Sequence, residues 1–178
     1  MIITRYMEQA HGWDRRVFHW INRTQNPTML HAALRILTHL GGALFTITLT
    51  LSVALFAPEP WRTTSLQSFA ALAISFLITT LIKRKVQRIR PYLALEGVRV
   101  GKNPLKDPSF PSGHSTAIFS IITPFLFMGS WVAVLLLVMA FIVCISRIYL
   151  GLHYPSDCLV GSFVGSMTAV LTVAVINL

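Results

Sequence analysis

The stretch WVAVLLLVMAFIVCI, residues 131–145, carries no charged side chain. It is one of five apolar stretches, which lie at about residues 40–57, 64–82, 115–129, 131–145 and 158–178. A helix needs about 20 residues to cross the hydrocarbon core of a membrane. Most of the stretches approach that length, and 115–129 and 131–145 do so once their flanking residues are included. The pattern predicts an all-α integral membrane helical bundle with about five transmembrane helices.

The composition favours the same class. Hydrophobic residues make up 54% of the 178 residues and charged residues 12%, against about 25% charged in an ordinary soluble domain. This balance excludes a disordered chain and leaves too little polar surface for a soluble fold. We expect a single membrane domain over residues 1–178, with an amphipathic N-terminal segment at 1–26 and the transmembrane bundle at 27–178.

The net charge of +9 limits the kinds of molecule that the protein is expected to bind. In a soluble protein such an excess indicates nucleic acid, but among apolar stretches it indicates anionic lipid headgroups or a phosphorylated substrate. We therefore expect the membrane bilayer and anionic headgroups or a phosphorylated substrate as partners, and no nucleic acid. The oligomeric state is left open by the sequence.

The N-terminal segment is amphipathic between residues 13 and 23. One helical face carries the apolar side chains of Trp13, Val17, Trp20 and Ile21, and arginines occupy much of the rest. This pattern is typical of a helix lying in the membrane interface, with a helix packed on the bundle surface as an equal alternative. Asn26 and Pro27 predict the cap and first turn of the next helix.

Five crossings would gather the polar residues at one membrane face. The N-terminus and segments 83–110 and 147–157 then share a face, while loop 58–62, the turn at Ser130 and the C-terminus lie on the other. Of the 15 lysines and arginines, only Arg62 falls on the second face. The chemistry of the protein is therefore expected at the first face.

Three polar clusters occupy that face. The first, KRKVQRIRP at residues 83–91, taken alone indicates only a solvated charge run or a topology signal. The second, FPSGHS at residues 110–115, precedes an apolar stretch, and its proline predicts a helix start. The N–H groups of Ser112, Gly113 and His114 would then lie in the first turn, where they have no intrahelical partner and suit phosphate oxygens. An ordinary helix cap with an incidental histidine is the alternative.

The third cluster is SRIYLGLHYPSD at residues 146–157. Because Pro155 predicts another helix start, Asp157 falls in the first turn and can reach one imidazole nitrogen of His153. Such a pair fixes the tautomer of the imidazole and raises the nucleophilicity of its other nitrogen. An interfacial histidine beside a helix-capping aspartate is the alternative.

Together the clusters indicate phosphoryl transfer. A nucleophile attacks phosphorus, cations and N–H donors hold the oxygens, and an acid protonates the leaving oxygen. A two-metal centre is disfavoured, because it needs several carboxylates and this chain has six, of which most are scattered. Zinc held by His114, His153 and Asp157 stays an alternative.

The ordered clusters resemble the signature of the type 2 phosphatidic acid phosphatase family: KxxxxxxRP, then PSGH, then SRxxxxxHxxxD. They match it without departure over residues 83–157. The first 60 residues carry no part of it, although their layout is similar to that of short bacterial undecaprenyl-diphosphatases of this family. The matching positions are Lys83, Arg90, Pro91, Pro111, Ser112, Gly113, His114, Ser146, Arg147, His153 and Asp157.

The resemblance implies a role for each motif. His153 would be the nucleophile that forms a phosphohistidine, Asp157 would orient it, and His114 would be the general acid. Water would then attack the phosphohistidine, without a metal or other cofactor. The family also includes soluble haloperoxidases that bind vanadate, and the five apolar stretches argue against that branch. The phosphate would be bound by Lys83, Arg90, Ser112, Gly113 and Arg147.

The sequence therefore predicts a metal-independent membrane lipid phosphatase, with undecaprenyl diphosphate as the favoured substrate and undecaprenyl phosphate as the product. Phosphatidic acid and phosphatidylglycerol phosphate are alternative substrates, and a lipid phosphotransferase would share every motif. An alternative of another class is a non-catalytic membrane protein that binds anionic lipids. Binding of anionic lipids needs cations but no nucleophile, so that alternative does not account for the two histidines and Asp157.

We expect a multi-pass protein of the cell membrane. The basic bias places the active face in the cytoplasm by the positive-inside rule, whereas the resemblance places it outside. The phosphate-binding cations explain part of the bias wherever the site lies, and we favour the extracytoplasmic face. We also expect the lipid phosphate to enter sideways beneath segment 13–23.

Overall fold

The computed structural model describes residues 2–25, 29–101, 104–129 and 131–178, with side chains from residue 12 onward. Within these ranges the chain is helical and contains no β-strand, as predicted. The predicted cap at Asn26 and Pro27 and the predicted turn at Ser130 lie outside the described residues. The helices are α1 (Ile2–Arg23), α2 (Met29–Leu37), a 3-10 helix (Thr38–Gly41), α3 (Ala43–Phe56), α4 (Trp61–Val86), α5 (Pro91–Ala94), α6 (Gly113–Leu126), α7 (Trp131–Tyr149) and α8 (Pro155–Ile176).

Each of the five apolar stretches forms a helix, namely α3, α4, α6, α7 and α8. By length and composition, three helical segments of the described chain can cross a membrane: Trp61–Ala94, Trp131–Tyr149 and Pro155–Ile176. A fourth is added if Met29–Gly41 and Ala43–Phe56, which meet at a bend of 57°, count as one span. Helix α6 has only 14 residues, about 21 Å at 1.5 Å per residue. The structure thus supports three to four membrane spans, and a count of five stays a prediction.

The bundle interior combines polar side chains with an apolar core, and large apolar side chains cover the outside. The buried residues of α4 are Thr64, Ser65, Gln67, Ser68, Ala71, Leu72, Ser75 and Thr79. Their hydroxyls bond between helices: Ser75 and Ser120 lie 2.7 Å apart, and Ser68 donates to the carbonyl of Ile121 at 2.8 Å. Large apolar side chains such as Phe76 and Leu171 point outward and are exposed. Small and polar contacts between helices with an apolar exterior are typical of packing in lipid.

Helix α6 lies at the centre and packs on α3, α4, α7 and α8. Its closest neighbour is α8, where two glycines four residues apart face it. A Cβ atom at Gly161 would lie 2.6 Å from the carbonyl oxygen of Ser112, and one at Gly165 would collide with the carbonyl oxygen of Thr116. Close approach through small residues is a common way to pack helices in membranes. It brings the N-terminal ends of α6 and α8 together.

Helix α1 docks on this bundle through a face other than its tryptophans. Asp14, Phe18 and Asn22 are buried, whereas Trp13 is 46% and Trp20 74% exposed. The Asn22 side chain donates to the carbonyl oxygen of Tyr149 at 2.9 Å. The exposed tryptophans are available to a membrane interface, and the interfacial position of this helix stays a prediction.

Candidate active site

The loop between α7 and α8 delivers the predicted nucleophile. Gly151 adopts a φ of +76°, and a Cβ there would collide with the carbonyl oxygen of Arg99, so a glycine suits this turn. Helix α8 then begins at Pro155 with Tyr154 as its N-cap. The turn and the cap leave His153 between them with only 1% of its surface exposed.

Asp157 caps α8 and faces His153. Its Oδ2 accepts the Tyr154 N–H at 2.9 Å and lies 3.5 Å from His153 Nδ1. At 3.5 Å the contact with the imidazole is looser than a normal hydrogen bond, and Nδ1 is buried without another hydrogen-bond partner. The structure thus combines the two interpretations that the sequence left open, because one carboxylate oxygen both caps the helix and faces the imidazole.

The other imidazole nitrogen faces a cation. His153 Nε2 lies 3.2 Å from Arg90 Nη1. Because a guanidinium can only donate, Nε2 carries the lone pair and Nδ1 the proton in this arrangement. Burial, reinforced by the positive charges of Arg147 and Arg90, lowers the pKa of His153 well below its ordinary value. A neutral imidazole with an unprotonated Nε2 is the form that can attack phosphorus.

Arg90 and Lys83 are held together by a carboxylate that the sequence analysis did not assign to the site. Asp107 accepts from Arg90 Nη2 at 2.8 Å and from Lys83 Nζ at 2.8 Å. Arg90 also donates to the carbonyl oxygen of Leu152 at 2.8 Å. Burial alone would raise the pKa of Asp107, but Lys83 and Arg90 hold it below its ordinary value. Two predicted phosphate-binding cations therefore share an anionic partner in this structure.

Arg147 has hydrogen-bond donors that remain available to a ligand. Only 3% of its surface is exposed, and Nη1 donates to Thr38 Oγ1 at 3.0 Å. Its Nε and Nη2 atoms are buried and have no hydrogen-bond partner among the described residues. A buried guanidinium edge without a partner is energetically unfavourable, and two oxygens of a phosphate would satisfy both donors in a bidentate contact.

The N-terminus of α6 supplies the remaining predicted residues. Ser112 is its N-cap and not part of the first turn, and the Ser112 N–H donates to the carbonyl oxygen of Asp157 at 2.9 Å. Contrary to the expectation from the sequence, this N–H is therefore not free for a phosphate oxygen. Gly113 and His114 open the helix, so their N–H groups have no partner within it. The His114 imidazole lies within electrostatic range of Arg147 and His153. The structure therefore brings the second and third sequence clusters into one site.

An apolar cavity of about 440 Å³ opens next to His114. It lies between α3, α4 and α6, and its walls include Ile47, Leu72 and Phe76. The sequence analysis expected the lipid to enter beneath segment 13–23, and this cavity lies on a different side of the site. A separate groove on α1 is lined by Arg15, Arg16 and Arg23, among others.

The zinc alternative finds little support in the geometry. Asp157 Oδ2 already accepts the Tyr154 N–H and its Oδ1 accepts from Arg88 at 2.6 Å, so a zinc ion between His114, His153 and Asp157 would compete with these contacts. Within the described ranges, no group of three or more histidine, cysteine or acidic residues is arranged to hold a metal ion. The metal independence of the reaction stays a prediction.

Three residues of the site region were missed by the sequence analysis: Asp14, Arg88 and Asp107. Arg88 was part of a cluster interpreted as a charge run, and Asp14 was counted among scattered acidic residues. Asp107 lies only four residues before Pro111, a proximity to the second motif that could have drawn attention to it. No local pattern could have linked Asp14 to residues more than 70 positions away.

Comparison with known proteins gives the family. A family model described as the PAP2 superfamily matches residues 64–178. The putative undecaprenyl-diphosphatase YbjG of Escherichia coli (strain K12) is 36% identical over 99 residues, which cover 53% of this chain and 48% of that protein. An undecaprenyl-diphosphatase of Sulfolobus acidocaldarius is 28% identical over 169 residues, 94% of this chain and 81% of that protein. The match thus spans about half of the first relative and most of the second.

The fold is also known. The crystal structure of the first transmembrane PAP2 type phosphatidylglycerolphosphate phosphatase from Bacillus subtilis superposes with a TM-score of 0.79 at 23% identity, over 95% of this chain and 87% of that one. At this identity the likeness concerns the fold alone. The family model includes all three signature motifs and more than half of the residues, and the chain therefore belongs to the PAP2 superfamily.

Proposed function

We propose that this protein is a membrane lipid phosphatase that works through a phosphohistidine on His153. The observation that carries the proposal is the polarity of the His153 imidazole. Its Nε2 faces Arg90 at 3.2 Å, and its Nδ1 faces Asp157 at 3.5 Å. The two unpartnered donors of Arg147 add a place for phosphate oxygens in the same site.

The geometry supports a two-step reaction. His153 Nε2 attacks phosphorus and forms a P–N bond, while the P–O bond to the leaving group breaks. His114 gives its proton to the leaving oxygen, and Asp157 stabilises the positive charge that develops on the imidazole. Water then attacks phosphorus with His114 as the base, the P–N bond breaks, and inorganic phosphate leaves. Throughout, the phosphate oxygens would accept from the side chains of Lys83, Arg90 and Arg147, from the Ser112 hydroxyl and from the Gly113 N–H.

Undecaprenyl diphosphate is our preferred substrate. Two relatives carry the name undecaprenyl-diphosphatase, and the apolar cavity beside His114 offers a place for the first part of a long hydrocarbon tail. The structural neighbour is named as a phosphatidylglycerolphosphate phosphatase, so that lipid and phosphatidic acid are the alternative substrates. Transfer of the phosphate to another lipid instead of water would use the same residues.

Phosphate release from the detergent-purified protein tests the proposal. Undecaprenyl diphosphate, phosphatidylglycerol phosphate and phosphatidic acid are supplied in turn, and the first is expected to be turned over fastest. His153→Ala should abolish release with every lipid. His114→Ala should be less severe for the diphosphate, because a phosphate is a better leaving group than an alkoxide. His19→Ala, a histidine change on α1 outside the site, is the matched control.

The assay also separates the proposal from a lipid-binding protein without activity. Such a protein would bind all three lipids and release no phosphate from any. A folded His153→Ala protein that releases phosphate at the wild-type rate would falsify the assignment of the nucleophile.

Five membrane crossings are part of the proposal, and the direction of the helices supports them. Helix α3 begins beside His114, α4 ends at the Lys83 region, α6 begins at His114, α7 ends at Arg147, and α8 begins beside His153. Each helix thus has one end at the site, and successive helices leave it and return to it in turn. Since α7 is long enough to cross, a crossing by α6 and its flanking residues completes the count of five.

This topology puts the two chain termini on opposite sides of the cell membrane, with the N-terminus on the side of the active site. We propose that this side is extracytoplasmic. A reporter that is active only in the cytoplasm is fused to each terminus in turn, and it should work only at the C-terminus. Activity at the N-terminus alone would reverse the orientation, and equal results at both ends would contradict the count of five.

A further inference from the structure

A buried carboxylate on α1 reaches the active site from outside the region that carries the family signature. Asp14 is 2% exposed. Its Oδ1 accepts the Ser156 N–H at 2.9 Å, and its Oδ2 accepts the Ser156 hydroxyl at 2.6 Å and Arg88 Nη2 at 2.5 Å. A carboxylate is buried only when such partners satisfy it. Asp14 is therefore part of a buried hydrogen-bond network with Ser156 and Arg88 and not a surface charge.

Arg88 connects this carboxylate to the predicted catalytic pair. Its Nη1 donates to Asp157 Oδ1 at 2.6 Å and to the Ser156 hydroxyl at 2.7 Å. The guanidinium also lies over the Tyr154 ring, 4.1 Å from the ring centre. Arg88 is thereby fixed on both sides, with a carboxylate at each of its two terminal nitrogens.

Arg88 differs from Arg147, the arginine whose unpartnered donors are assigned to the phosphate. Arg147 leaves Nε and Nη2 without a partner, whereas both terminal nitrogens of Arg88 are taken by protein groups. The Oδ1 atom of Asp157 is the one that Arg88 holds, and this leaves Oδ2 facing His153 Nδ1. The contact therefore sets the orientation of the carboxylate behind the nucleophile.

The second carboxylate has an electrostatic consequence. Paired with Arg88 alone, Asp157 would have its negative charge cancelled at the moment when the His153 imidazole becomes positive. Two carboxylates on one guanidinium keep a net negative charge in the network. In a buried site such a charge acts strongly on its neighbours.

We infer that Asp14 and Arg88 are positioning residues of the phosphatase reaction, with Arg88 orienting Asp157 and Asp14 balancing the charge of Arg88. The inference rests on the proposed function. It makes α1 a working part of the active site, although the family model begins at residue 64.

A double-mutant cycle on the full-length protein in detergent tests the inference, using Asp14→Asn, Arg88→Gln and the double variant with the lipid that is turned over fastest. Asp14→Asn should lower kcat about tenfold and leave KM within about twofold, because its effect reaches the imidazole and not the phosphate. Arg88→Gln should lower kcat further, and Arg88→Lys should restore part of the loss. In the Arg88→Gln background, Asp14→Asn should have almost no further effect on kcat, since Asp14 acts through Arg88.

A merely structural role gives a different pattern. The bond from the Ser156 N–H to Asp14 Oδ1 does not involve Arg88, so a clamp between α1 and α8 through this bond would cost the same activity in both backgrounds. Asn22→Ala is the matched control, because it removes the hydrogen bonds of the Asn22 side chain to Tyr149 and to the backbone of Arg99 and leaves the contacts of Asp14, Arg88 and Asp157 in place. It should lower thermal stability and keep the wild-type kcat below the melting temperature.

The outcomes separate this inference from the proposed function. Equal losses for Asp14→Asn in the two backgrounds, an increase in KM without a loss of kcat, or a wild-type kcat in Asp14→Asn overturns the inference while His153→Ala stays inactive. A variant that does not fold is replaced by single-turnover labelling of the wild-type and Arg88→Lys proteins. Slower formation of phosphohistidine in Arg88→Lys supports the inference, and an unchanged rate overturns it.

Discussion

Replacing Arg147 by methionine should make the empty protein more stable and the phosphate site ineffective. The guanidinium is almost fully buried, and its Nε and Nη2 atoms have no partner. Among the described residues, no carboxylate forms an ion pair with it. Each buried donor without a partner costs about 1–3 kcal/mol, and methionine has a similar length without donors or charge.

The expected gain is smaller than the sum of these two terms. Arg147→Met also breaks the bond from Nη1 to Thr38, which contributes about 0.5–1.5 kcal/mol, and it leaves the Thr38 hydroxyl to find another partner. We therefore expect a net stabilisation of about 1–2 kcal/mol, or an increase of roughly 2–8 °C in the melting temperature for a chain of this size. The measurement is thermal unfolding in detergent without phosphate or vanadate.

The same variant should lose its response to vanadate, which mimics phosphate in the site. Two hydrogen bonds between a charged donor and an anion are worth about 1.5–3 kcal/mol each, so binding should weaken by at least about a hundredfold. In the wild type, the melting temperature should rise with vanadate concentration as binding to the folded state requires. In Arg147→Met the rise should vanish over the same range.

Two controls make the result interpretable. Arg62→Met changes an exposed arginine in the first turn of α4, at the opposite end of this helix from Lys83. This variant should retain the full vanadate response. Arg147→Lys keeps the charge but loses the planar edge, so it should bind vanadate with intermediate affinity. An Arg147→Met protein that melts earlier than the wild type and still responds to vanadate would refute the reasoning on both counts.

Three further predictions concern the same site. Asp107→Asn should lower the inhibition constant of inorganic phosphate several-fold, because the carboxylate no longer competes for Lys83 and Arg90, and an unchanged or higher constant would contradict that competition. Because the pKa of His153 is lowered, its imidazole should stay neutral as the pH falls from 8 to about 5, where an ordinary histidine becomes protonated; nitrogen NMR of histidine-labelled protein, with His153→Ala to assign the signal, would detect a titration if one occurred. Phosphate release should persist in excess chelator, and loss of activity that a divalent metal restores would point to a different mechanism.

The sequence alone was sufficient to predict the helices and to recognise the motifs. The five apolar stretches became helices because long runs without charge have no other stable structure in lipid. The prolines at 111 and 155 marked helix starts next to Ser112 and His153, so the positions of both motifs in the fold could be read from local rules. The roles of these residues come from the family resemblance and stay to be tested.

The sequence alone was insufficient to predict contacts between residues that are far apart in the chain. Asp14 and Ser156 are 142 positions apart, and neither has a neighbour in sequence that indicates the other. Asp107 lies close to the second motif in the chain, but its bonds are to Lys83 and Arg90 of the first. Such pairings depend on how the helices pack, and that packing is decided by side-chain shape along the whole bundle.

The packing of α6 on α8 explains why the nucleophile and the phosphate-binding turn meet. Because Gly161 has no side chain, α8 approaches α6 closely enough for the Ser112 N–H to bond the carbonyl oxygen of Asp157. That bond ties the first turn of one helix to the first turn of the other. The N–H groups of Gly113 and His114 and the imidazole of His153 then lie around one space, where both helix dipoles are positive. A site for an anion is thus produced by the contact of two helix ends, and the polar interior that stabilises the bundle in lipid also supports it.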